Sequence, residues 1–279
     1  MAHYLITRFN VDFGQSIYSK DKNNNETRDE TWLKKRFFLF DNFCYPSVKN
    51  QTTQNFKWFV YFDKKTPIEY KKKIDDYKKQ MGNFIPIFVK DGEDFFKKNL
   101  ELIRKTTKDD IIIITRLDND DAILNNYLET IQKYVDEKKI INGFLDFIYG
   151  YQYDFLKKVL TKIKIQSNHF ISKIEHISCL SNEIYSIHSH INNHPNNQHI
   201  NNIKNPLWIE IVHENNVLNF IRTNNTKVIF FSNLPYKISY WNSSIRMIYI
   251  CSINIKNKLR HILVILHLKD LVKKLLKYK

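Results

Sequence analysis

Hydrophobic positions in the first half of the chain alternate between short apolar runs and longer segments with helical spacing. The apolar runs predict strands and the longer segments predict helices. The predicted strands are residues 3–9, 56–63, 84–89 and 111–116, and the predicted helices are 29–43, 67–80, 94–107 and 122–137. Strands that alternate with helices of this length predict βαβ units and a mostly parallel sheet flanked by helices, which is the α/β class.

The pattern changes after Glu137. Residues 139–155 and 156–165 predict strands, interrupted at Gly143 and Gly150, that form a hairpin. Residues 190–205 predict a loop, and 206–213 and 226–231 predict late strands. The last segment, 256–279, carries a broad apolar face and a face of Lys and Arg, which predicts a basic amphipathic helix. Such a helix suits an anionic membrane surface, but packing on the domain explains the pattern equally well.

Candidate chemistry is concentrated where Ile111 to Ile114 lead into Asp118, Asp120 and Asp121. The isoleucines predict a strand buried on both faces, and ligands of open α/β sheets bind at the carboxyl ends of strands. Crowded carboxylates repel one another unless a cation neutralises them, and Mg²⁺ or Mn²⁺ prefers oxygen ligands. A metal site is therefore favoured. The alternative is that Asp120 or Asp121 caps the next helix, but capping requires only one acid.

Other polar residues end the predicted strands. Asp63 would place an acid at the same sheet edge for a base or ribose, although a strand-end Asp is usually a turn residue. Arg8 and Arg116 both follow Ile-Thr and could bind phosphates, or equally could pair with a nearby Asp. His213 could return to the edge as an imidazole ligand, but is more often structural in such a place.

Composition narrows the class of protein. The chain has 279 residues, 43% of them hydrophobic, which is enough for a sizeable core. Its net charge of +15 indicates an anionic partner: nucleic acid, an acidic membrane or phosphorylated substrates. Five glycines and no glycine-rich phosphate motif argue against P-loop and dinucleotide-binding enzymes. Metal-mediated diphosphate binding is the remaining interpretation.

The cysteines, the histidines and the terminal segments of the sequence indicate the cellular compartment of the protein. Three widely spaced cysteines favour a reducing environment, and the N-terminal sequence does not have the pattern of a signal peptide. A zinc site at His188, His190, His194 and His199 is disfavoured because these residues lie in an Asn-rich segment without a regular framework. We therefore expect a cytoplasmic protein, peripheral at the inner face of the membrane if its basic tail binds there.

The order of several motifs carries a family resemblance. The motifs are TRFN, W-x3-R, PSVKNQ, FKWFVYFDKKTP, ITRLDNDDAI, NHFISKIE and WIEIVH. Their order over residues 3–215 resembles the putative rhamnosyltransferase family of bacterial glycosyltransferases, which is similar to the nucleotide-sugar enzymes of GT-A fold. The resemblance implies a GT-A-like domain over residues 1–240, with a nucleotide half to about 120 and an acceptor half beyond it, followed by a basic tail over 241–279.

The resemblance also implies roles for single residues. Asp118 and Asp120 correspond to the D-x-D element that holds a metal against the donor diphosphate, and His213 joins them as a metal ligand. The implied donor-binding residues are Thr7, Arg8, Asp63, Arg116, Asp121 and Trp208. Glu175 is the candidate catalytic base if the reaction inverts, with Asp146 and Glu210 behind it. The family's Asn-Pro-Phe reads Asn168-His169-Phe170 here, a departure from the pattern.

The implied activity is metal-dependent transfer of a sugar, with L-rhamnose as a candidate, from a nucleoside diphosphate to a surface-glycan or lipid-linked acceptor. The implied cofactor is Mg²⁺ or Mn²⁺, and no nucleic acid partner is expected. A metal-dependent nucleotidyltransferase would use the same carboxylates on a nucleoside triphosphate. A basic nucleic-acid-binding protein would instead concentrate Lys, Arg and aromatic residues on one face.

Overall fold

The computed structural model describes residues 1–14, 29–185, 197–200, 202–213, 221, 251–259 and 262. The strands are β1 (Ala2–Arg8), β2 (Lys57–Asp63), β3 (Phe84–Val89), β4 (Ile111–Arg116), β5 (Ala122–Ile123), β6 (Gly143–Phe147), β7 (Tyr149–Asp154), β8 (Val159–Lys164), β9 (Ile171–His176), β10 (Asn197–Ile200) and β11 (Trp208–Val212). The α-helices are α1 (Glu30–Leu39), α2 (Tyr45–Lys49), α3 (Ile68–Gln80), α4 (Gly92–Thr106), α5 (Tyr127–Glu137) and α6 (residues 251–259).

Seven strands form the central sheet in the order β10-β6-β9-β4-β1-β2-β3. Neighbouring strands are parallel except at β9, which runs antiparallel to both β4 and β6. The predicted α/β class, with a mostly parallel central sheet flanked by helices, is confirmed. Because β9 runs against its neighbours, its beginning lies at the edge of the sheet where β4 ends, and that edge holds the candidate site.

Both faces of the central sheet are covered by helices. On one face, Leu5 and Ile113 pack in a cluster with apolar residues of α1, α3 and α5. On the other face, Ile6, Ile112 and Ile114 pack in a cluster with apolar residues of α4. Burial on both faces explains why β4 reads as a continuous run of isoleucines, and it confirms the prediction made from that run.

A smaller sheet, in the order β5-β11-β7-β8, lies beyond the end of β4. The predicted hairpin is β7 and β8, which pair antiparallel, and β11 pairs parallel with β7. The sequence pattern suggested that Gly150 interrupts a strand, but in the structure Gly150 lies inside β7. A Cβ atom at Gly150 would lie 2.2 Å from the Trp208 indole, so this glycine makes room for the indole ring.

We expect Gly150→Ala to lower the free energy of unfolding by about 1 to 3 kcal/mol, because the added methyl group must displace a buried ring. Chemical denaturation of the purified protein measures this difference. Gly82→Ala is the matched control, since a Cβ there has nothing within 4 Å and should cause no loss of stability. Equal stability of the two variants would contradict the packing assigned to Gly150.

Two predicted helix boundaries were wrong. The first helix does not stop before Cys44, because a π-helical turn (Phe40–Cys44) continues α1 into α2. Pro46 lies in the first turn of α2, directly after this π-helical turn. The fourth helix begins at Tyr127 and not at residue 122, because Ala122 and Ile123 pair with β11.

Differences also occur in the second half. The antiparallel strand β9 was not assigned from the sequence. Residues 197–200 were predicted as loop but form β10, which pairs parallel with β6. The predicted strand at 226–231 and most of the predicted helix at 256–279 lie outside the described residues; α6 covers residues 251–259 and exposes Ile255 and Leu259. No helix within the described ranges has the length and apolar character needed to cross a membrane.

Candidate functional site

The parallel strands β1, β2 and β4 end at one edge of the central sheet. Backbone hydrogen bonds from Phe9 N to Tyr61 O (2.8 Å) and from Leu117 N to Ile6 O (3.0 Å) continue the pairing to this edge. Arg8 and Arg116 are the last residues of β1 and β4, and Asp63 is the last residue of β2. The sheet therefore gathers at this edge the charged residues that the sequence placed at strand ends.

The acidic turn, residues 117–121, follows β4 at this edge and is hydrogen-bonded to the segment that follows β1. The Asn119 side-chain amide donates a hydrogen bond to the Phe9 carbonyl at 2.6 Å. The strand after the turn, β5, belongs to the second sheet. The helix-capping alternative is wrong, because the N-cap position of α5 is Asn126 and neither Asp120 nor Asp121 occupies it. The three carboxylates of the turn thus have no role in starting the helix.

Asp120 points into the protein, where two basic side chains meet the same carboxylate oxygen. Arg36 Nη1 lies 2.5 Å and His213 Nε2 2.9 Å from Asp120 Oδ2. Arg36 also donates to Asn119 Oδ1 at 3.0 Å, and its guanidinium lies over the Trp32 ring. Burial opposes ionisation of Asp120, but the charge of Arg36 together with the hydrogen bond and charge of His213 lowers the pKa of this carboxyl to about 2.

Asp121 is buried on the other side of the turn. Its Oδ1 accepts the Ile211 N–H at 2.8 Å, and its Oδ2 lies 2.6 Å from His169 Nε2. Burial raises the pKa of Asp121. Burial alone would lower the pKa of His169, but the charge and hydrogen bond of Asp121, with the charges of Asp118 and Glu210, together raise it to about 9. The two side chains therefore form a buried hydrogen-bonded pair.

Asp118 is the most exposed of the three acids, with 32% of its side chain accessible, against 8% for Asp120 and 2% for Asp121. Arg116 Nη2 lies 3.1 Å from its carboxylate. Burial opposes ionisation, yet the positive charge of Arg116, with smaller effects of His169 and Arg8, lowers the pKa of Asp118 well below its usual range. Arg8 itself lies against the rings of Phe13 and Tyr185.

One group of side chains at this edge has the composition of a cation site. Ligand atoms of Asp118, Asp121 and His169 all lie within 4.8 Å of one another. Of the predicted ligands Asp118, Asp120 and His213, the structure brings the last two into direct contact, 2.9 Å apart. Two carboxylates with an imidazole form a donor set that suits a divalent cation such as Mn²⁺, so the residues at this edge fit the expected metal.

Three predicted donor-binding residues occupy different environments. Thr7 is fully buried, and its hydroxyl accepts the indole N–H of Trp58 at 2.9 Å. Trp208 is also fully buried, with its indole N–H donating to Phe147 O at 2.6 Å. Asp63 lies half-buried at the edge and accepts the Lys65 N–H at 2.7 Å. Direct contact with a ligand is thus open to Asp63, whereas Thr7 and Trp208 are buried in the core and their donor-binding role stays a prediction.

Glu175 lies away from the acidic turn. It is in register with Ile112 near the start of β4, and its carboxylate pairs with Lys173 at 2.7 Å. Burial raises its pKa. The catalytic role of Glu175 stays a prediction, and this location favours a structural contribution.

The two other candidate acids lie on different strands, β6 and β11. Asp146 is fully buried near the end of β6 and pairs with His199, while Glu210 accepts a hydrogen bond from Gln152 at 2.7 Å. His199 therefore has an acidic partner within the domain, and its position does not require a zinc ion. The other three histidines of the Asn-rich segment lie outside the described residues.

Sequence reasoning missed Arg36, Asn119 and His169 as members of the site. Arg36 was visible as part of the W-x3-R motif, and three crowded acids need nearby positive charge. His169 was noted only as a departure from the family pattern. Its contribution depends on β9, which brings the preceding residues back to the edge where β4 ends.

The family of the protein follows from its sequence. Residues 3–224 match the sequence model of the family described as "Putative rhamnosyl transferase". The match spans most of the chain, and the protein therefore belongs to the putative rhamnosyl transferase family. The chain has no match among curated protein sequences.

Solved structures with a similar arrangement are distant. TarS 1–349 from S. aureus has 12% identity and a TM-score of 0.44, over 76% of this chain and 60% of that chain. Its complex with UDP-GlcNAc has 10% identity and a TM-score of 0.44, over 80% and 62%. A putative nucleotide-diphospho-sugar transferase from Desulfovibrio desulfuricans G20 has 10% identity and a TM-score of 0.34, over 67% and 69%.

The chain thus spans about three fifths of TarS 1–349. At TM-scores below 0.5, these similarities assign no residue role to this protein.

Proposed function

We propose that this protein transfers a sugar, with L-rhamnose as the first candidate, from a nucleoside diphosphate donor to a glycan or lipid-linked acceptor. The observation that carries the proposal is the acidic turn with His169 beside it, which together present carboxylates and an imidazole at the edge where the parallel strands end. Ligands of open α/β sheets bind at such edges. Membership of the rhamnosyl transferase family favours this activity over nucleotidyl transfer and over nucleic-acid binding.

The charges around the turn suit a donor diphosphate. Arg8 and Arg116 lie at the ends of adjacent strands, and the charges of both act on Asp118. Guanidinium groups bind phosphate oxygens through paired hydrogen bonds, so these two residues are the candidates for that contact. Asp63, at the end of the next strand, is the candidate for the ribose or base. The net charge of +15 favours an anionic donor as well.

Acidic residues of the turn would hold Mg²⁺ or Mn²⁺. Such an ion supplies Lewis acidity that stabilises the negative charge on the departing diphosphate. Arg8 and Arg116 would orient the diphosphate, and Asn119 keeps the turn attached to β1 through the Phe9 carbonyl. If the reaction inverts the anomeric carbon, a carboxylate must accept the proton of the acceptor hydroxyl. Glu175 was the first candidate for that base, but Asp146 lies near the end of β6 and the charge of Glu210 acts on His169.

The acceptor side of the proposal rests on the C-terminal sequence. Residues 256–279 combine a broad apolar face with Lys and Arg, a composition that binds anionic membrane surfaces. A lipid-linked acceptor would be presented at such a surface. We therefore place the reaction at the inner face of the membrane, with the protein attached peripherally.

We expect the purified full-length protein to release nucleoside diphosphate from one member of a panel of nucleoside diphosphate sugars that includes rhamnose donors. Removal of divalent cations with EDTA should lower this rate at least about 100-fold, because the leaving diphosphate then lacks a preorganised positive charge. Excess Mn²⁺ should restore it. Full activity in EDTA would contradict the proposed role of the metal ion. The absence of hydrolysis or transfer with every donor would contradict the proposed reaction.

A further inference from the structure

Three lysines converge on the ring of Tyr149 at the start of β7. The Nζ atoms of Lys204, Lys164 and Lys162 lie 4.9 Å, 5.8 Å and 6.0 Å from the ring centroid. Lys204 also donates a hydrogen bond to the Tyr149 hydroxyl at 3.1 Å. All three lysines are exposed, and Tyr149 is partly exposed. These four residues form the Tyr149 cluster.

Different parts of the fold bring the lysines together. Lys164 lies directly opposite Tyr149 in the pairing of β7 with β8, and Lys162 lies two residues before it on the same face. Lys204 comes from the segment before β11, which is held beside β7 by the hydrogen bond from Leu207 N to Tyr149 O at 3.2 Å. The strand pairing therefore gathers like charges from segments that are distant in the sequence.

The positive charge of the Tyr149 cluster lacks an internal acid. Lys79 on α3 and Lys133 on α5 each pair with an acid three or four residues away. In contrast, Lys162, Lys164 and Lys204 form no ion pair with an acid in the part of the chain that the structure describes. Like charges held close together repel one another, so a bound anion would stabilise this arrangement.

Tyr149 shows the effect of this charge on a neighbouring group. The hydrogen bond from Lys204, with the charges of Lys204, Lys164 and Lys162, lowers the pKa of Tyr149. These surroundings therefore favour a negatively charged group. The Lys204 ammonium group has three N–H donors and uses one of them for Tyr149, and the Tyr149 hydroxyl can itself donate a hydrogen bond. The cluster thus offers several donors to one anion.

The Tyr149 cluster lies on the side of the acidic turn away from the candidate donor residues. Strands β4 and β6 both run antiparallel to β9, so they end at the same edge of the sheet. Tyr149 follows Phe147, the last residue of β6, by two positions. At the usual strand spacing, the end of β6 lies about 10 Å from the end of β4. Arg8 and Asp63 lie on the other side of β4, on β1 and β2.

We propose that Tyr149, Lys162, Lys164 and Lys204 bind a phosphate group of the acceptor. This proposal rests on the proposed function and narrows its acceptor to phosphorylated molecules. The phosphate would come from the diphosphate of a lipid-linked acceptor or from a phosphate ester within a glycan. Ammonium groups form charge-assisted hydrogen bonds with the oxygens of both.

The experiment measures binding of inorganic pyrophosphate and of glycerol 3-phosphate to the full-length protein by isothermal titration calorimetry. Lys162→Gln combined with Lys204→Gln should weaken binding of at least one probe at least about fivefold, because two of the three positive charges are lost. The donor site can also bind these probes, but it is the same in every variant. A larger loss for pyrophosphate would indicate a lipid-linked diphosphate, and a larger loss for glycerol 3-phosphate would indicate a phosphorylated glycan.

The matched control is Lys97→Gln combined with Lys105→Gln. It removes the same charge from two exposed positions on α4 and should change binding less than about twofold, because charges far from the probe are screened. Circular dichroism verifies the fold of each variant. Lys162→Gln alone serves if its combination with Lys204→Gln is unfolded.

The outcomes separate this proposal from the proposed function. Unchanged binding of both probes by the variant with Lys162→Gln and Lys204→Gln would overturn the phosphate site, even if a donor sugar is hydrolysed normally. Loss of binding to phosphatidylglycerol vesicles with unchanged binding of both probes would also overturn it, and would assign the lysines to a membrane surface. Probe binding that is lost in this variant, while no protein hydrolyses any donor, would overturn the transferase and with it the acceptor.

Discussion

Arg36→Met is expected to lower the free energy of unfolding by about 3 to 5 kcal/mol, because it leaves the buried Asp120 carboxylate without its strongest positive partner. Methionine keeps most of the length of the side chain, so the loss reports the charge and the hydrogen bonds more than the packing. His213 remains against Asp120 and is expected to offset part of the loss. Chemical denaturation followed by tryptophan fluorescence measures the difference.

A double-mutant cycle tests the pairing directly. Asp120→Asn combined with Arg36→Met should be less destabilised than the sum of the two single variants, because the uncompensated charge is then absent. Arg36→Lys should lie between wild type and Arg36→Met, since Lys keeps the charge but not the fork that reaches both Asn119 and Asp120. Additive effects in the cycle would show that Arg36 does not stabilise Asp120.

Asp118→Asn is expected to reduce sugar transfer at least about 100-fold, which corresponds to about 2.7 kcal/mol of lost transition-state stabilisation. Asp118 belongs to the ligand set expected from the sequence and lies beside Asp121 and His169 in the structure. Asparagine preserves the shape of the side chain but removes the negative charge that attracts a cation. Steady-state rates with saturating donor and Mn²⁺ measure the effect.

A matched substitution shows whether the loss is specific. Asp76→Asn removes an acid from an exposed pair with Lys79 on α3 and should leave the rate within twofold of wild type. Unfolding midpoints of both variants should remain close to that of the wild type, because Asp118 is partly exposed at the end of the sheet. An Asp118→Asn protein that keeps more than a tenth of the wild-type rate would show that the acidic turn does not serve the reaction.

Local sequence patterns determined the first half of the fold and the position of the acidic turn. The strand at 84–89 and the helix after Pro67 agree with the predicted ranges because their period and their breakers are encoded within a few residues. The acids at 118–121 were recognised because they directly follow a strand with the composition of a fully buried one. The sequence favoured metal binding but did not exclude capping, because the beginning of the next helix depends on whether Ala122 and Ile123 pair with β11.

Tertiary structure alone decided which positive group faces each acid. Arg36 comes from α1 and His169 from the residues before β9, and both reach the turn only because the central sheet has its particular strand order. The antiparallel direction of β9 is a property of strand pairing across the sheet, which no local period encodes. The sequence by itself therefore determined that carboxylates end a buried strand. Packing determined that Arg36 neutralises Asp120 and that His169 meets Asp121, because charges pair through space and not along the chain.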